Sequence, residues 1–288
     1  MEVYELKPYG YCFGVIQAIE LIKEVKQKHY DKNIYVFGML VHNNDVVMYL
    51  NSLGITTIDT NSIDKVQKLK EFTSDDVVVF TAHGHDERYH LILEKNNVIY
   101  YDATCKNVRS SIDLIKTKLK DHQIIYVGKK NHPETEACLS ISKDVVLYDI
   151  NKGMDYSKIT CSNPFVVNQT TLSILELSEI HEDIKSKYHD AYIADEICSQ
   201  TRIRQQNIMN FDKKVDLALV IGSIHSSNTD KLYQLCKVKF PSSVVLKVDN
   251  LTMLKEHNLE GINSCVLTSG TSTPLESIIE IKEYLLRR

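Results

Sequence analysis

The sequence predicts an α/β protein built as three similar small lobes, each with a parallel sheet, set around a pseudo-threefold axis. Three observations point to it. Apolar, β-branched runs alternate with helical patterns along the chain, as in parallel sheets flanked by helices. One order of elements occurs three times, the signature of an internal repeat. Cys12, Cys105 and Cys198 mark the same place in each copy, the second lying 93 residues after the first and the third 93 after the second.

Each copy opens with a strand-like run that leads into its cysteine: VYELKPYGYC, VIYYDATC and AYIADEIC. A helix follows. Its apolar face reads Val15, Ile19, Ile22 in the first copy and Val108, Ile112, Ile115, Leu119 in the second. In the third copy TRIRQQNIMNF is a weaker helix by the same measure. Next comes an apolar strand ending in glycine: NIYVFG (33–38), QIIYVG (123–128) and DLALVIG (216–222). Four residues past that glycine stands His42, His132 or Ser226. A second strand is expected at GITTID (54–59), VVLYD (145–149) and SVVLKVDN (243–250). A third ends in small polar residues: VVVFTAHG (77–84), PFVVNQTT (164–171) and CVLTSGTS (265–272). Parallel sheets bind ligands outside the carboxyl ends of their strands. Every polar motif sits at such an end, so the strand ends should converge on one centre. Lobe boundaries are expected near residues 97 and 190, giving lobes 1–97, 98–190 and 191–288.

Composition narrows the function. With 288 residues, 43% of them hydrophobic, the chain can bury a real core. A net charge of −4 argues against a strongly basic nucleic-acid binder. No apolar run approaches the roughly 20 residues of a membrane-spanning helix. The first residues, MEVYELKPYGYC, lack the basic-then-apolar pattern of a signal peptide. A soluble, cytosolic protein with no nucleic-acid or membrane partner is expected.

The chain has seven cysteines, an odd number, and no CxxC pair. That fits neither a disulfide framework nor a zinc ribbon. Three buried structural cysteines would not explain the equal spacing. Three converging thiolates without a fourth partner suggest a four-iron cluster, which four cysteines normally hold. One iron would then be left open, and an open metal position can bind substrate. A zinc site of three cysteines and a histidine is the alternative. The histidines fall after the next strand, which favours a [4Fe–4S] cluster at the centre. Cys138, Cys161, Cys236 and Cys265 lie outside the register and read as packing residues.

A second layer of motifs suggests an anion. His42-Asn43 precedes a helical run, His132-Pro133-Glu134 puts proline at a helix start, and Ser226-Ser227-Asn228 offers cap side chains. Helix starts bind anions through free N–H groups and the positive dipole end. With His83 and Ser272 at neighbouring strand ends, a small phosphate or diphosphate is the expected ligand. No GxxxxGK[ST] or GxGxxG motif points to an ordinary nucleotide site. A carboxyl beside a cluster, Glu134, would have a raised pKa and deliver protons. Thr170 would relay that proton or orient a bound hydroxyl. The other histidines have no threefold register and read as surface or outer residues.

The set GYCFGV, LVHN, TAHG, DATC, NHPE, NQTTLS, DEIC, SSN and GTSTP, in this order from Tyr11 to about Pro274, resembles the 4-hydroxy-3-methylbut-2-enyl diphosphate reductases. The resemblance implies an iron–sulfur enzyme whose [4Fe–4S] cluster is held by Cys12, Cys105 and Cys198. It implies reductive dehydroxylation of an allylic diphosphate to isopentenyl and dimethylallyl diphosphate, the last step of the non-mevalonate pathway. His42, His83, His132, Ser226, Ser227, Asn228 and Ser272 would hold the diphosphate. Glu134 would supply protons with Thr170 beside it, and Thr171 would touch the substrate. Electrons would come from a ferredoxin or flavodoxin. Three departures stand out: Lys106-Asn107 where the family commonly has Pro-Leu, Asn131 where it has glycine, and Ser-Gln-Thr-Arg after Cys198. Lys106 would then tune the cluster or meet the electron donor. From the residues alone, an iron sensor, an open-iron hydro-lyase and a phosphate-binding module stay open as rivals.

Overall fold

The structure is a computed structural model that describes residues 1–61, 63–194 and 197–288. Among these residues twelve strands form three four-stranded sheets, parallel throughout. The chain opens with β1 (Glu2–Glu5). The first complete sheet then holds β2 (Asn33–Phe37), β3 (Ile55–Ile58), β4 (Asp76–Phe80) and β5 (Ile99–Asp102), in the order β3-β2-β4-β5. The second repeats that order with β6 (Ile124–Gly128), β7 (Val145–Asp149), β8 (Phe165–Asn168) and β9 (Tyr192–Ile193). The third takes β10 (Leu217–Ile221), β11 (Val244–Val248) and β12 (Ser264–Ser269), and β1 returns from the chain start as its fourth strand.

The fourth strand of every sheet is therefore the one that leads into a cysteine. β5 pairs with β4, β9 with β8, and β1 with β12 from Glu2↔Ser264 to Glu5↔Leu267. Sheet membership thus runs past residues 97 and 190, and the first residues belong with the last sheet. Of the DEIC motif only Ile197 and Cys198 are described; Asp195 and Glu196 lie outside the described residues.

Strand alternation places side chains on both faces of each sheet, as period-two geometry requires. Ile34, Val36, Val77 and Val79 enter one core, while Phe37, Val78 and Phe80 enter the opposite one. Ile124, Tyr126 and Val167 oppose Ile125, Val127 and Val166 in the second sheet. Leu217, Leu219 and Leu267 oppose Ala218, Val220 and Val266 in the third. Burying each large apolar side chain contributes about 1.5–3 kcal/mol.

In chain order the helices run α1 (Phe13–Lys28), α2 (Asn44–Ser52), α3 (Lys65–Lys70), α4 (Arg88–Lys95), α5 (Lys106–Lys118), α6 (Pro133–Leu139), α7 (Ile174–Lys187) and α8 (Ser199–Asn210), and α1, α5 and α8 start directly after the registered cysteines. α1 buries Val15, Ala18, Ile22 and Val25. α8 is a full helix, not a weak one, and it buries Thr201, Arg204, Gln205 and Ile208 at the same kind of spacing. Its inner face is polar, so hydrophobic periodicity could not reveal it. The polar groups are bonded instead: Gln205 accepts from Ile174 N–H at 2.9 Å and donates to the Leu172 carbonyl at 3.0 Å. Among the described residues no helix is long and apolar enough to cross a membrane.

Candidate active site

The three cysteines are set by one repeated device. Each stands at the N-cap of its helix, and none makes a side-chain cap bond there. The backbone N–H of Cys105 donates to the Ala82 carbonyl at 3.0 Å, that of Cys198 to Thr170 at 3.0 Å, and that of Cys12 to Thr271 at 2.9 Å. The accepting residues follow β4, β8 and β12, so the threefold register of the sequence persists in hydrogen bonds. It also aligns His83, Thr171 and Ser272, which come one residue later in each copy.

The two glycines around Cys12 have separate reasons. Gly10 has φ +81°, a left-handed conformation that glycine adopts without cost, and its N–H donates to Ser269 Oγ at 2.8 Å. Gly14 lies inside α1, where a Cβ would stand 2.5 Å from Cys105 Sγ and 3.9 Å from Cys12 Sγ. Its missing side chain leaves room between two of the thiols.

Cys12, Cys105 and Cys198 line one cavity. Burial pushes the Cys12 and Cys105 thiols above their ordinary range. Backbone N–H groups of Gly14 and Val15 oppose this at Cys12, and those of Asn107 and Val108 at Cys105, while the neighbouring cysteines add to the rise. Among the described residues no group of three His, Cys, Asp or Glu is arranged to hold a metal ion. In a four-iron cluster each cysteine would take its own iron. The all-thiol donor set, the space kept open by Gly14 and the helix-start N–H groups suit such a cluster. The other four cysteines pack apart from the cavity, with Cys236 and Cys265 buried and pushed up to about 12.

Another part of the lining is polar. His42, His83 and His132 cluster there, with ring centroids 4.2 Å apart for the first pair and 6.0 and 6.1 Å from His132. Burial holds all three below the usual imidazole range, His42 to about 4 and His132 to about 3. They are neutral at pH 7. His132 is the N-cap of α6 (Pro133–Leu139), its Nδ1 accepting from Glu134 N–H at 3.2 Å. Ser226 caps α9 (Ser227–Lys239) through Thr229 N–H at 3.3 Å. Ser272 Oγ donates to the His42 carbonyl at 3.1 Å and so joins two sheets' loops. Nδ1 of His42, Nδ1 of His83 and both amide atoms of Asn228 are buried without a hydrogen-bond partner among the described residues. An unmet buried polar group costs about 1–3 kcal/mol, which a polar ligand in the cavity would recover.

Glu134 is 2% exposed and held from three sides. Thr170 N–H donates to Oε1 at 2.8 Å, the Thr170 hydroxyl to Oε2 at 3.0 Å, and the Tyr126 hydroxyl to Oε1 at 3.3 Å.

The structure brings every cysteine, proton-path and diphosphate-binding candidate named from the sequence to this one cavity, Thr171 and Ser227 included, whereas Lys106 does not line it. Sequence reasoning missed other lining residues. Val15, Val108 and Thr201 each stand three residues after a registered cysteine, and all line the cavity. That offset, one helical turn, was a usable signal. Asn107, which also lines the cavity, was missed, and so was Arg204, which lies outside the lining. Arg204 is 1% exposed, donates to the Gly10 carbonyl at 2.9 Å and the Gln200 carbonyl at 3.0 Å, and has no carboxylate partner among the described residues. It ties the Cys12 loop to the start of α8.

The chain matches the family model described as LytB protein over residues 3–286. The 4-hydroxy-3-methylbut-2-enyl diphosphate reductase of Bacillus licheniformis is 33% identical over 289 residues, covering 99% of this chain and 90% of its own. The enzyme of the same name from Malacoplasma penetrans is 34% identical over 283 residues, covering 95% and 93%. The solved E-1-hydroxy-2-methyl-but-2-enyl-4-diphosphate reductase of Plasmodium falciparum superposes with a TM-score of 0.86 at 28% identity, over 99% of this chain and 87% of that one. A second solved structure, titled as the terminal enzyme of the non-mevalonate pathway, shares the fold with a TM-score of 0.68 at 23% identity over 100% of both chains. The cavity, its three registered cysteines and these matches lead to one conclusion: the chain belongs to the LytB family, the family of the 4-hydroxy-3-methylbut-2-enyl diphosphate reductases.

Proposed function

We propose that this protein reductively dehydroxylates (E)-4-hydroxy-3-methylbut-2-enyl diphosphate to isopentenyl and dimethylallyl diphosphate, the terminal step of the non-mevalonate pathway. Cys12, Cys105 and Cys198 hold a [4Fe–4S] cluster. The reading is carried by one observation: three thiols share a cavity with buried polar groups of His42, His83 and Asn228 that have no partner among the described residues. When bound, such a cluster, with one iron free of protein ligands, supplies Lewis acidity and electrons.

The chain's own residues do the rest. His42, His83, His132, Ser226, Ser227, Asn228 and Ser272 bind and orient the diphosphate, which meets their unmet donors and the starts of α6 and α9. Val15, Val41, Ala82 and Val108 line the cavity and give the isoprenyl carbons an apolar wall that excludes water. Glu134 delivers a proton to the leaving hydroxyl oxygen, and the Thr170 hydroxyl keeps that carboxyl aimed. Thr171 lines the substrate channel. Two electrons and two protons replace the allylic C–OH bond by a C–H bond and release the hydroxyl as water, so that the product keeps one double bond. The electrons come from a carrier of the ferredoxin or flavodoxin class, and the setting is the cytoplasm.

Protein purified without oxygen should be brown and carry about four irons per chain. Turnover should require a strong reductant. Turnover without reductant would favour an open-iron hydro-lyase, and iron-free protein that stays active would end the proposal.

A further inference from the structure

Asn107 stands two residues after Cys105, in the first turn of α5. Its side-chain amide does not cap the helix. Nδ2 instead donates to Cys198 Sγ at 3.0 Å, across 91 positions of sequence. Its backbone N–H faces the Cys105 thiol. One residue therefore addresses two of the three cysteines, from two different sheets' loops. Among the described residues no other side chain donates a hydrogen bond to Cys12, Cys105 or Cys198. Arg204 brings a buried positive charge near the same cysteines, but it donates to the carbonyls of Gly10 and Gln200.

We propose that Asn107 is a tuning and positioning residue, whose amide hydrogen bond to the Cys198 sulfur raises the reduction potential of the cluster these cysteines hold. The inference rests on the cluster reading above. Reduction adds negative charge that spreads onto the ligating sulfurs. An N–H dipole aimed at one sulfur stabilises the more negative state more than the oxidised one. The same bond fixes the direction of the Cys198 side chain before iron arrives. The donor is neutral and part-buried, so bulk salt screens it weakly.

The test uses the whole chain, reconstituted with iron and sulfide and titrated with dithionite while the reduced cluster is followed by electron paramagnetic resonance. Asn107→Leu keeps the side chain's bulk and removes the donor. It should lower the ratio of reduced to oxidised cluster at fixed poise about tenfold, a shift of about 59 mV for a one-electron couple. Asn107→Asp, which puts an acceptor there, should shift it further in the same direction. In the unmutated protein, exchange into D₂O should reveal deuterons coupled to the reduced cluster by pulsed resonance, and the Leu variant should lose the contribution of the side-chain amide while the backbone N–H groups keep theirs. A fully loaded Leu variant with the wild-type potential would overturn the inference. If the Leu variant takes up no iron, absence of the deuteron coupling in the unmutated protein overturns it instead. Wild-type protein that binds no iron would overturn the cluster reading itself, and this inference with it.

Discussion

Thr170 gives Glu134 two hydrogen bonds, its backbone N–H to Oε1 at 2.8 Å and its hydroxyl to Oε2 at 3.0 Å. The Thr170 carbonyl accepts the Cys198 N–H at 3.0 Å. The proposed proton donor and the third cysteine are thus fixed by one residue. A hydroxyl can donate to a carboxylate and accept from a carboxylic acid, so Thr170 can serve Glu134 in both protonation states. Glu134→Gln keeps the shape of this network and removes the acid. Turnover with excess dithionite should fall roughly 10²–10⁴-fold, the usual contribution of a general acid. Competition by inorganic pyrophosphate should stay as in wild type. Thr170→Val keeps the backbone bond and loses one hydroxyl bond, so its fall should be smaller, about tenfold. Near-normal turnover in the Gln variant would take Glu134 out of the proton path.

The three cavity histidines make a pH prediction. Burial is the main cause of their lowered pKa values, and neighbouring basic groups lower them further: His225 and Lys129 act on His42, His42 and Lys129 on His132, and His42 and His132 on His83. An unfolded histidine takes up its proton near pH 6.5. The folded His42 does so only near 4 and His132 near 3. Below pH 6.5 the unfolded chain binds more protons, so stability is lost as pH falls from about 6.5 toward 4. His132→Asn should soften that loss in a melting series, since asparagine keeps the helix cap and does not titrate. Bound diphosphate reverses the balance and lifts these pKa values. Pyrophosphate binding should therefore take up protons at pH 7, measured by calorimetry in buffers of different protonation enthalpy. Proton release on binding would contradict the proposed ligand set.

Local chemistry was legible in the sequence, and long-range pairing was not. The apolar, β-branched runs ending in glycine such as NIYVFG (33–38), the polar motifs that follow them and the equally spaced cysteines are all local features of the chain. The membership of β1 in the last sheet leaves no such trace, because the ladder from Glu2↔Ser264 onward is made by backbone groups. The inward face of α8 was hidden for a different reason. Arg204 and Gln205 are buried because distant carbonyls, Gly10 and Leu172, accept their protons. An asparagine after Cys105 likewise does not disclose that its amide reaches Cys198.

Gly14 separates local propensity from the demands of the site. In an ordinary helix interior, alanine is favoured over glycine by roughly 0.5–1 kcal/mol. Here the added methyl would stand 2.5 Å from Cys105 Sγ, closer than real Cβ contacts come, and 3.2 Å from Cys105 Cβ, a tight approach. Gly14→Ala should keep its helical circular dichroism yet load well below the about four irons of a full cluster. A fully loaded Ala variant would show that Cys105 can move aside at no cost.

Asn131 shows how this chain meets a need the family usually meets with glycine. It is exposed and has φ +65°, in the left-handed region. The turn it makes is closed by His132 N–H donating to the Lys129 carbonyl at 3.1 Å, and it delivers His132 and Glu134 to the cavity. Left-handed backbone costs a residue with a Cβ roughly 1–2 kcal/mol, asparagine less, and glycine almost nothing. Asn131→Gly should therefore leave urea-unfolding stability near wild type. Asn131→Val, β-branched and unable to bond its own backbone, should lose roughly 1–2 kcal/mol. Because the strain falls on the residue before His132, the Val variant should also bind pyrophosphate more weakly, while the Gly variant should not. Wild-type stability and affinity in the Val variant would mean that the turn can relax into an ordinary conformation without moving the histidine.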